Sequence, residues 1–288
     1  MLKEWPLVAF TILGQMAVGA FLVFHAPFLD HRKMPAAGWR ETWLTDLAVV
    51  IVLTVLAALV SFFHLRHPIR ARRALSNLRT SWLSREILFE LGFLGLVGLA
   101  AILALSRSAA NGAVLALLIA AGLAGLLFLM SMAKLYMLPT LPAWSDIFTP
   151  LSFFLTAFNL GAMVTEIIIH GSGVQGVFEL DLLFLSFIFV LVEILLTVFI
   201  APRHGVFGSR PAPSLRPDGG SPGALHWGRV ALLGAGLFFI AIAMGTGIDD
   251  LMTDRGPGLA LVLAFVFVLA GEVAGRFHFY GLVVRPGR

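Results

Sequence analysis

Two ionisable side chains, those of His64 and Glu86, lie where one long apolar run of this sequence ends and the next begins. Histidine exchanges protons near neutral pH, and a carboxyl group that loses water at a membrane edge can do the same. Their separation of 22 residues fits a helix–loop–helix hairpin that brings both side chains to one membrane surface. Because ionisable groups are costly at membrane depth, the pair is a candidate site for proton transfer.

A structural explanation of the same two residues stays open. His64 could be an ordinary interfacial residue, and Glu86 an acidic residue that the positive N-terminal end of its helix favours. Ser84 could cap that helix. The spacing alone does not decide between the two interpretations.

Apolar side chains dominate the composition. Hydrophobic residues make up 59% of the chain and charged residues 12%, where soluble domains have about 25% charged residues. The chain is therefore expected to be a polytopic membrane protein. It contains no cysteine, which excludes thiolate-bound iron–sulfur clusters, covalently attached c-type haem and disulfides. No metal site is predicted, because no third ligand accompanies His64 and His67.

A membrane-spanning helix needs roughly 20 apolar residues, and eight segments meet this length. They must be helices, because lipid offers backbone groups no hydrogen-bond partners and the alternation typical of a β-barrel is missing. The sequence predicts an all-α bundle of eight transmembrane helices, one integral membrane domain over residues 1–288 with a flexible loop at about 202–226. The predicted spans are 5–27, 43–64, 86–105, 111–134, 150–170, 180–201, 227–248 and 257–280.

The basic residues are distributed unevenly between the two ends of this predicted bundle. The end that holds both termini and the His64–Glu86 loop carries 15 of the 20 Lys and Arg residues. Because basic loops stay in the cytoplasm, the count predicts that both termini and this loop are cytoplasmic. A surface on which a partner protein docks would give the same count.

Several short motifs that occur together in one family are spread over helices 1, 2, 3, 5 and 8 of the predicted bundle. They are Glu4-Trp5-Pro6-Leu7, Gly14-Gln15, His64-Leu65 with Pro68 and Arg70-Ala71, Leu83-Ser84, Glu86-Ile87, Pro142-Ala143-Trp144, Thr149-Pro150, Gly271-Glu272, Gly275-Arg276 and Phe279-Tyr280-Gly281. Through these motifs the chain resembles the membrane anchor subunits of dimethyl sulfoxide reductase. It departs from the family's usual His-Leu-Gly, because Arg66 follows Leu65.

The resemblance implies a role in electron transfer with quinones. Such anchors hold a molybdopterin catalytic subunit and an iron–sulfur subunit at the bacterial inner membrane, and they exchange electrons with menaquinol or ubiquinol at a site containing the matching His64 and Glu86. The molybdenum cofactor and the iron–sulfur clusters then belong to the partner subunits, and the anchor is expected to lack haem. Related anchors also serve sulfite-oxidising complexes, so electron flow in the quinone-reducing direction stays an alternative.

Quinol oxidation releases two electrons and two protons, so the site needs groups that bind both ring oxygens. His64 can accept a proton from one hydroxyl group, and Glu86 can pass protons to water. Gln15, in the middle of the first span, could bind the quinone or join two helices. Arg70 could contact a ring oxygen or a carboxylate of a partner.

Other polar residues inside or beside the spans favour structural roles. Glu272 and Arg276, four residues apart on the last helix, are expected to form an ion pair. Glu166 and Glu193 are intramembrane carboxylates, expected to be neutral and hydrogen-bonded, with a proton path as the alternative. Tyr136 is expected to anchor its helix at the membrane surface. The loop from Pro139 to Thr149, which holds Trp144, is expected to dock a partner.

Two other classes of membrane protein are alternatives. A small-solute transporter often shows inverted repeats and broken helices at the midplane, and the sequence shows neither. A haem-bearing anchor needs two histidines at matching depth inside the bundle, and the predicted midplane contains none.

Overall fold

The computed structural model is a bundle of eight helices, and it describes residues 4–29, 39–64, 75–105, 111–138, 144–172, 182–200, 222–245 and 258–281. Each helix is long and apolar enough to cross a membrane. The all-α class and the eight spans predicted from the sequence are confirmed. The helices are α1 (Trp5–His25), α2 (Trp39–Ser61), α3 (Trp82–Leu105), α4 (Asn111–Tyr136), α5 (Phe148–Ser172), α6 (Leu182–Ile200), α7 (Pro222–Gly245) and α8 (Leu259–Gly281).

The helix boundaries differ from the predicted ones by up to five residues, and the largest differences lie at helix starts. Helix α7 begins at Pro222, five residues before the predicted position, with proline at the first helical position, where it needs no hydrogen-bond partner. The remainder of the predicted flexible loop, up to residue 221, lies outside the described residues. The prediction of one membrane domain stays a prediction.

Helix α1 lies at the centre of the bundle. Within its most apolar stretch 78% of the residues are buried, against 22% to 61% in the other seven helices. Gly19 of α1 and Gly161 of α5 face each other, and a Cβ atom at either position would collide with the backbone of the other helix. These two glycines therefore let α1 and α5 pack backbone against backbone, as small residues commonly do in membrane proteins.

Two ends of the bundle can be distinguished. The His64 end comprises the first residues of α1, α3, α5 and α7 and the last residues of α2, α4, α6 and α8. There a short 3-10 turn, Phe62–His64, follows α2, and the ring of Phe63 lies 6.0 Å from that of Trp5. At the opposite end, Arg40 donates hydrogen bonds to the carbonyl oxygens of Ala104 and Leu105, which end α3.

Candidate redox site

Glu86 lies in the first turns of α3 with its carboxyl group inside the bundle, where it is only 2% exposed. The buried face of α3 continues through Glu90, one turn deeper, and then through Phe93 and Val97. Both carboxylate oxygens of Glu86 lack a hydrogen-bond partner among the described residues. A buried carboxyl group without a partner is costly, which makes Glu86 the leading candidate for a functional group at this end.

The other predicted site residues are described to different extents. The backbone of His64 ends the 3-10 turn after α2, at the same end of the bundle as Glu86, but its side chain lies outside the described residues. Arg70 lies outside them altogether. Gln15 is fully buried in α1. The structure therefore places Glu86 and Gln15 inside the bundle and gives only the backbone position of His64.

Tyr136 and Tyr280 are the two tyrosines of the protein, and they lie side by side in the bundle with ring centroids 5.3 Å apart. The hydroxyl of Tyr280 donates a hydrogen bond to that of Thr11 on α1, at 3.4 Å. Tyr136 is 6% exposed. The expectation that it anchors α4 at the membrane surface is therefore wrong, because its ring turns inward toward α8.

An aromatic cluster fixes the tyrosine pair. The rings of Trp144, Phe153 and Phe279 lie 5.6, 5.9 and 5.7 Å from that of Tyr136. Trp144 also stacks on Phe279 at 5.2 Å and donates its indole N–H to the carbonyl oxygen of that residue. The indole of Trp144 thus covers Tyr136 at the His64 end, and the use of its loop for docking a partner stays a prediction.

Gln15 meets the guanidinium group of Arg276 below the tyrosines. Arg276 donates hydrogen bonds to the side-chain oxygen of Gln15, at 2.9 Å, and to the hydroxyl of Thr156, at 3.3 Å. The cation lies 3.7 Å above the ring of Phe153, a distance typical of a cation–π contact. The amide N–H of Gln15 points to the sulfur of Met132, 3.6 Å away. Gln15 therefore joins α1 to α8 as well as lying near the candidate site.

A second arginine, Arg229 of α7, occupies the centre of a buried ion-pair network. Its guanidinium lies 3.2 Å from a carboxylate oxygen of Glu272 and 3.6 Å from one of Glu193. The predicted ion pair between Glu272 and Arg276 is therefore corrected: Glu272 pairs with Arg229, and the hydroxyl of Thr156 stands between Glu272 and Arg276. Glu193 is hydrogen-bonded, as predicted, but it belongs to a charged network.

The network connects five helices. Thr156 of α5 lies 2.8 Å from Glu272 and 3.3 Å from Glu193, and Asn159 donates to the other oxygen of Glu193 at 3.3 Å. Two glutamates and two arginines balance in charge, which lowers the cost of placing them in the membrane interior. The network contacts the candidate site through Arg276, which donates a hydrogen bond to Gln15.

Two histidines near the end of the bundle opposite His64 are held by neighbouring groups. The imidazole of His25 uses both nitrogens, because Nε2 accepts from Trp43 at 2.9 Å and Nδ1 lies 2.8 Å from the carbonyl oxygen of Phe21. His170 pairs with Glu166 at the same end, 3.3 Å away. Among the described residues, no group of three or more His, Asp or Glu side chains could hold a metal ion.

Sequence reasoning missed several residues of this region. Arg229 counted only as a basic charge at a helix end, and Glu90 and the tyrosine pair were not singled out. One signal pointed to Arg229, because two intramembrane carboxylates, Glu193 and Glu272, need a buried cation. No pattern of spacing brings Tyr136 and Tyr280 together, since they lie on α4 and α8 and meet only after packing.

Eight apolar helices around a buried polar network define a multi-pass membrane protein with ionisable groups at one end of its bundle. The family described as "DMSO reductase anchor subunit (DmsC)" matches residues 1–282. The protein belongs to this family, and the resemblance found in the sequence is confirmed. It is a membrane anchor of a dimethyl sulfoxide reductase-type complex, located in the inner membrane.

Three relatives show how the similarity is distributed. The sequence is 28% identical to the third subunit (C) of the anaerobic dimethyl sulfoxide reductase of Escherichia coli (strain K12), with 99% of this protein and 96% of the relative covered. The anaerobic dimethyl sulfoxide reductase subunit YnfH of the same organism is 30% identical over the same shares. The corresponding C subunit of Haemophilus influenzae is 32% identical over 54% of each protein. No solved structure matches this sequence significantly.

Proposed function

We propose that this protein oxidises quinol at the His64 end of its bundle and passes the electrons to an iron–sulfur partner subunit, with His64 and Glu86 as the proton-accepting groups. The observation that carries the proposal is the buried carboxyl group of Glu86, which has no hydrogen-bond partner among the described residues. Membership of the anchor family supports this role over that of a solute transporter.

The chemistry requires two proton acceptors and one electron acceptor. A quinol gives up two protons and two electrons and becomes the quinone. In the proposal, His64 takes the proton of one hydroxyl group, and Glu86 takes that of the other. The electrons pass to the iron–sulfur clusters of the partner, since the anchor has no cysteine to bind a cluster of its own.

Two further residues are proposed to bind the quinol ring. Arg70, six residues after His64 in the sequence, lies outside the described residues. Gln15 already accepts a hydrogen bond from Arg276, so its remaining lone pair is the group that is free for a ring hydroxyl. The quinol would then lie between Glu86, at the His64 end, and Gln15, in the middle of α1, both of which are buried.

The iron–sulfur subunit is proposed to dock at the same end, together with the molybdopterin subunit. Electron transfer to a cluster needs a short path, so the docking face must cover the quinol site. Arg79 is exposed there, and Arg85 lies behind it, donating to the carbonyl oxygens of Leu78 and Arg79 at 2.9 and 2.8 Å. The basic residues of 65–74, outside the described region, would extend this face.

The test is the substitution Glu86→Gln in the assembled complex, which keeps the size of the side chain and removes its acid–base chemistry. Turnover is measured with a soluble quinol and with an artificial electron donor that reaches the clusters directly, with dimethyl sulfoxide as acceptor. Glu166→Gln is the matched control, because Glu166 is an intramembrane carboxylate at the opposite end that pairs with His170.

We expect Glu86→Gln to lower quinol-dependent turnover by about 100-fold, the contribution typical of a general base, while the artificial donor still works. The control should retain both activities. Equal quinol-dependent rates in Glu86→Gln and the parent complex would refute the proposal. Quinone reduction driven by sulfite, measured in the same membranes, tests the opposite direction of electron flow.

A further inference from the structure

The side chain of Arg276 is buried near the His64 end of the bundle, where it is only 4% exposed. One terminal nitrogen of its guanidinium group donates to the side-chain oxygen of Gln15 at 2.9 Å and to the hydroxyl of Thr156 at 3.3 Å. Its Nε–H is buried too, but has no hydrogen-bond acceptor among the described residues. A buried donor without an acceptor is costly, so this N–H is a binding group for an acceptor that enters from outside.

The positive charge of Arg276 has no carboxylate in direct contact within the part of the chain that the structure describes. Both of its hydrogen-bond partners, Gln15 and Thr156, are uncharged. Glu272 accepts from the same Thr156 at 2.8 Å but pairs with Arg229 at 3.2 Å. The network is balanced as a whole, yet Arg276 lies at its edge, with a hydroxyl group between it and Glu272. A buried cation in this position is suited to an anionic ligand.

Arg276 also lies at the level of the proposed redox site. Glu86 is the fifth residue of α3, which begins at the His64 end, and Arg276 is the sixth residue from the last of α8, which finishes there. Both therefore lie within two helical turns of that end. Gln15, to which Arg276 is bonded, is one of the groups proposed to bind the quinol ring. A ring that contacts Gln15 is thus within reach of the guanidinium group.

We propose that Arg276 binds a ring oxygen of the quinol through its Nε–H and stabilises the negative charge that forms there when the first proton leaves. This inference rests on the proposed function, because it assigns a further binding group to the same substrate. Arginine stays protonated in proteins, so Arg276 neither gains nor loses a proton. It was expected from the sequence only as a partner of Glu272.

The proposed step balances in protons and electrons. An O–H bond of the quinol breaks, its proton passes to His64 or Glu86, and the electron pair of that bond stays on the ring oxygen. The guanidinium group offsets this charge until the electrons leave for the iron–sulfur clusters of the partner. A hydrogen bond between a guanidinium group and an oxyanion is roughly twice as strong as one between neutral groups, so Arg276 favours the deprotonated substrate over the neutral one.

Two naphthoquinones of nearly equal size separate charge from shape. Lawsone is a hydroxynaphthoquinone that is an anion at neutral pH, and menadione has a methyl group in place of that hydroxyl and stays neutral. If Arg276 binds a ring oxygen, the parent complex should bind lawsone more tightly than menadione. The preference should depend on the charge at position 276.

Three variants of the assembled complex make the experiment specific. Arg276→Gln removes the charge and keeps a polar side chain. Arg276→Lys keeps the charge and removes the Nε–H. Arg40→Gln is the matched control, because Arg40 is an arginine at the opposite end that donates to two backbone carbonyl oxygens. The artificial donor is the reference for assembly, since its electrons do not pass through the quinol site.

The dissociation constants of lawsone and menadione are measured by equilibrium titration, with quinol-dependent turnover alongside. We expect Arg276→Gln to weaken lawsone binding by about 10- to 100-fold, as for a hydrogen bond to a charged group, and menadione binding by about two- to fivefold. Quinol-dependent turnover should fall in the same variant. Arg276→Lys should weaken both compounds to a similar extent and keep the preference for lawsone. Arg40→Gln should bind both as the parent does.

Several results would overturn the inference. One is a parent complex without a preference for lawsone, and another is an equal change for both compounds in Arg276→Gln. If Arg276→Gln does not assemble, Arg276→Lys decides, because unchanged affinities there would show that the Nε–H binds neither ring. The proposed function is judged separately: it falls if Glu86→Gln keeps full quinol turnover, and it survives a failure at Arg276 if Glu86→Gln loses that turnover.

Discussion

Gly275 on α8 faces the side chain of Arg229 on α7, and the missing side chain at position 275 leaves the space that the arginine occupies. A Cβ atom there would lie 2.7 Å from Nε of Arg229 and 3.0 Å from the central guanidinium carbon. The glycine that lets α8 pack closely on α7 therefore also provides the space in which the Arg229 side chain lies. Arg229 reaches Glu272 and Glu193 only because it can pass along this groove.

The substitution Gly275→Ala should therefore destabilise the bundle, because the added methyl group displaces Arg229 from its carboxylates. Overpacking of this kind costs about 1–3 kcal/mol. The measurement is the unfolding midpoint of the purified subunit in detergent. Gly234→Ala on α7 is the control, since no neighbouring atom lies within 4 Å of a Cβ at that position. Equal midpoints for the two variants would show that the contact is unimportant.

Replacing Arg229 by methionine should be more damaging than the change at Gly275. It leaves Glu193 and Glu272 buried without their shared cation, and breaking a buried ion pair costs about 3–5 kcal/mol. Adding Glu193→Gln should restore part of the lost stability, since the remaining Glu272 and Arg276 then balance in charge. The unfolding midpoints of the single and double variants are compared, and no recovery in the double variant would contradict the pairing.

The fold could be predicted because lipid imposes one simple rule. Every spanning segment must be a long apolar helix, so length and hydropathy alone located all eight. The helix starts were less predictable, because the first turns carry polar residues that hydropathy excludes. Trp82 and Ser84 of α3 and Pro222 of α7 lie before the predicted apolar runs.

The candidate site was only partly predictable, because its members come from distant parts of the sequence. Glu86 and Gln15 stand out as polar residues in apolar runs. Their partners do not: Tyr136 approaches Tyr280 across 144 positions, and Arg276 approaches Gln15 across 261. The Glu272–Arg276 prediction failed for a related reason. Spacing of i, i+4 identifies neighbours on one helix, but a cation from another helix competes for the same carboxylate.

Arg40 should matter for stability and not for quinol turnover. It donates to the last two carbonyl oxygens of α3 at the end of the bundle opposite His64, where such contacts satisfy groups that have no helical partner. Arg40→Ala should lower the unfolding free energy by about 1 kcal/mol. Quinol-dependent turnover per assembled complex is measured alongside, and a selective loss of that activity would show that the site extends to the opposite end.

The two roles considered for the buried amide of Gln15, binding the quinol and joining α1 to α8, can be measured separately. Gln15→Met keeps the length of the side chain and removes the oxygen that accepts from Arg276 at 2.9 Å. If the same oxygen binds a ring hydroxyl of quinol, the KM for quinol should rise about fivefold, the equivalent of one hydrogen bond, with kcat little changed.

The matched background for Gln15→Met is Arg276→Met, which removes the cation and leaves the amide. In that background the stability effect of Gln15→Met should largely vanish, because the interaction partner is already missing, while the effect on KM should persist. A loss of stability with no change of KM in either background would limit Gln15 to joining α1 with α8. The quinol would then depend on Glu86 and the His64 loop for its hydrogen bonds.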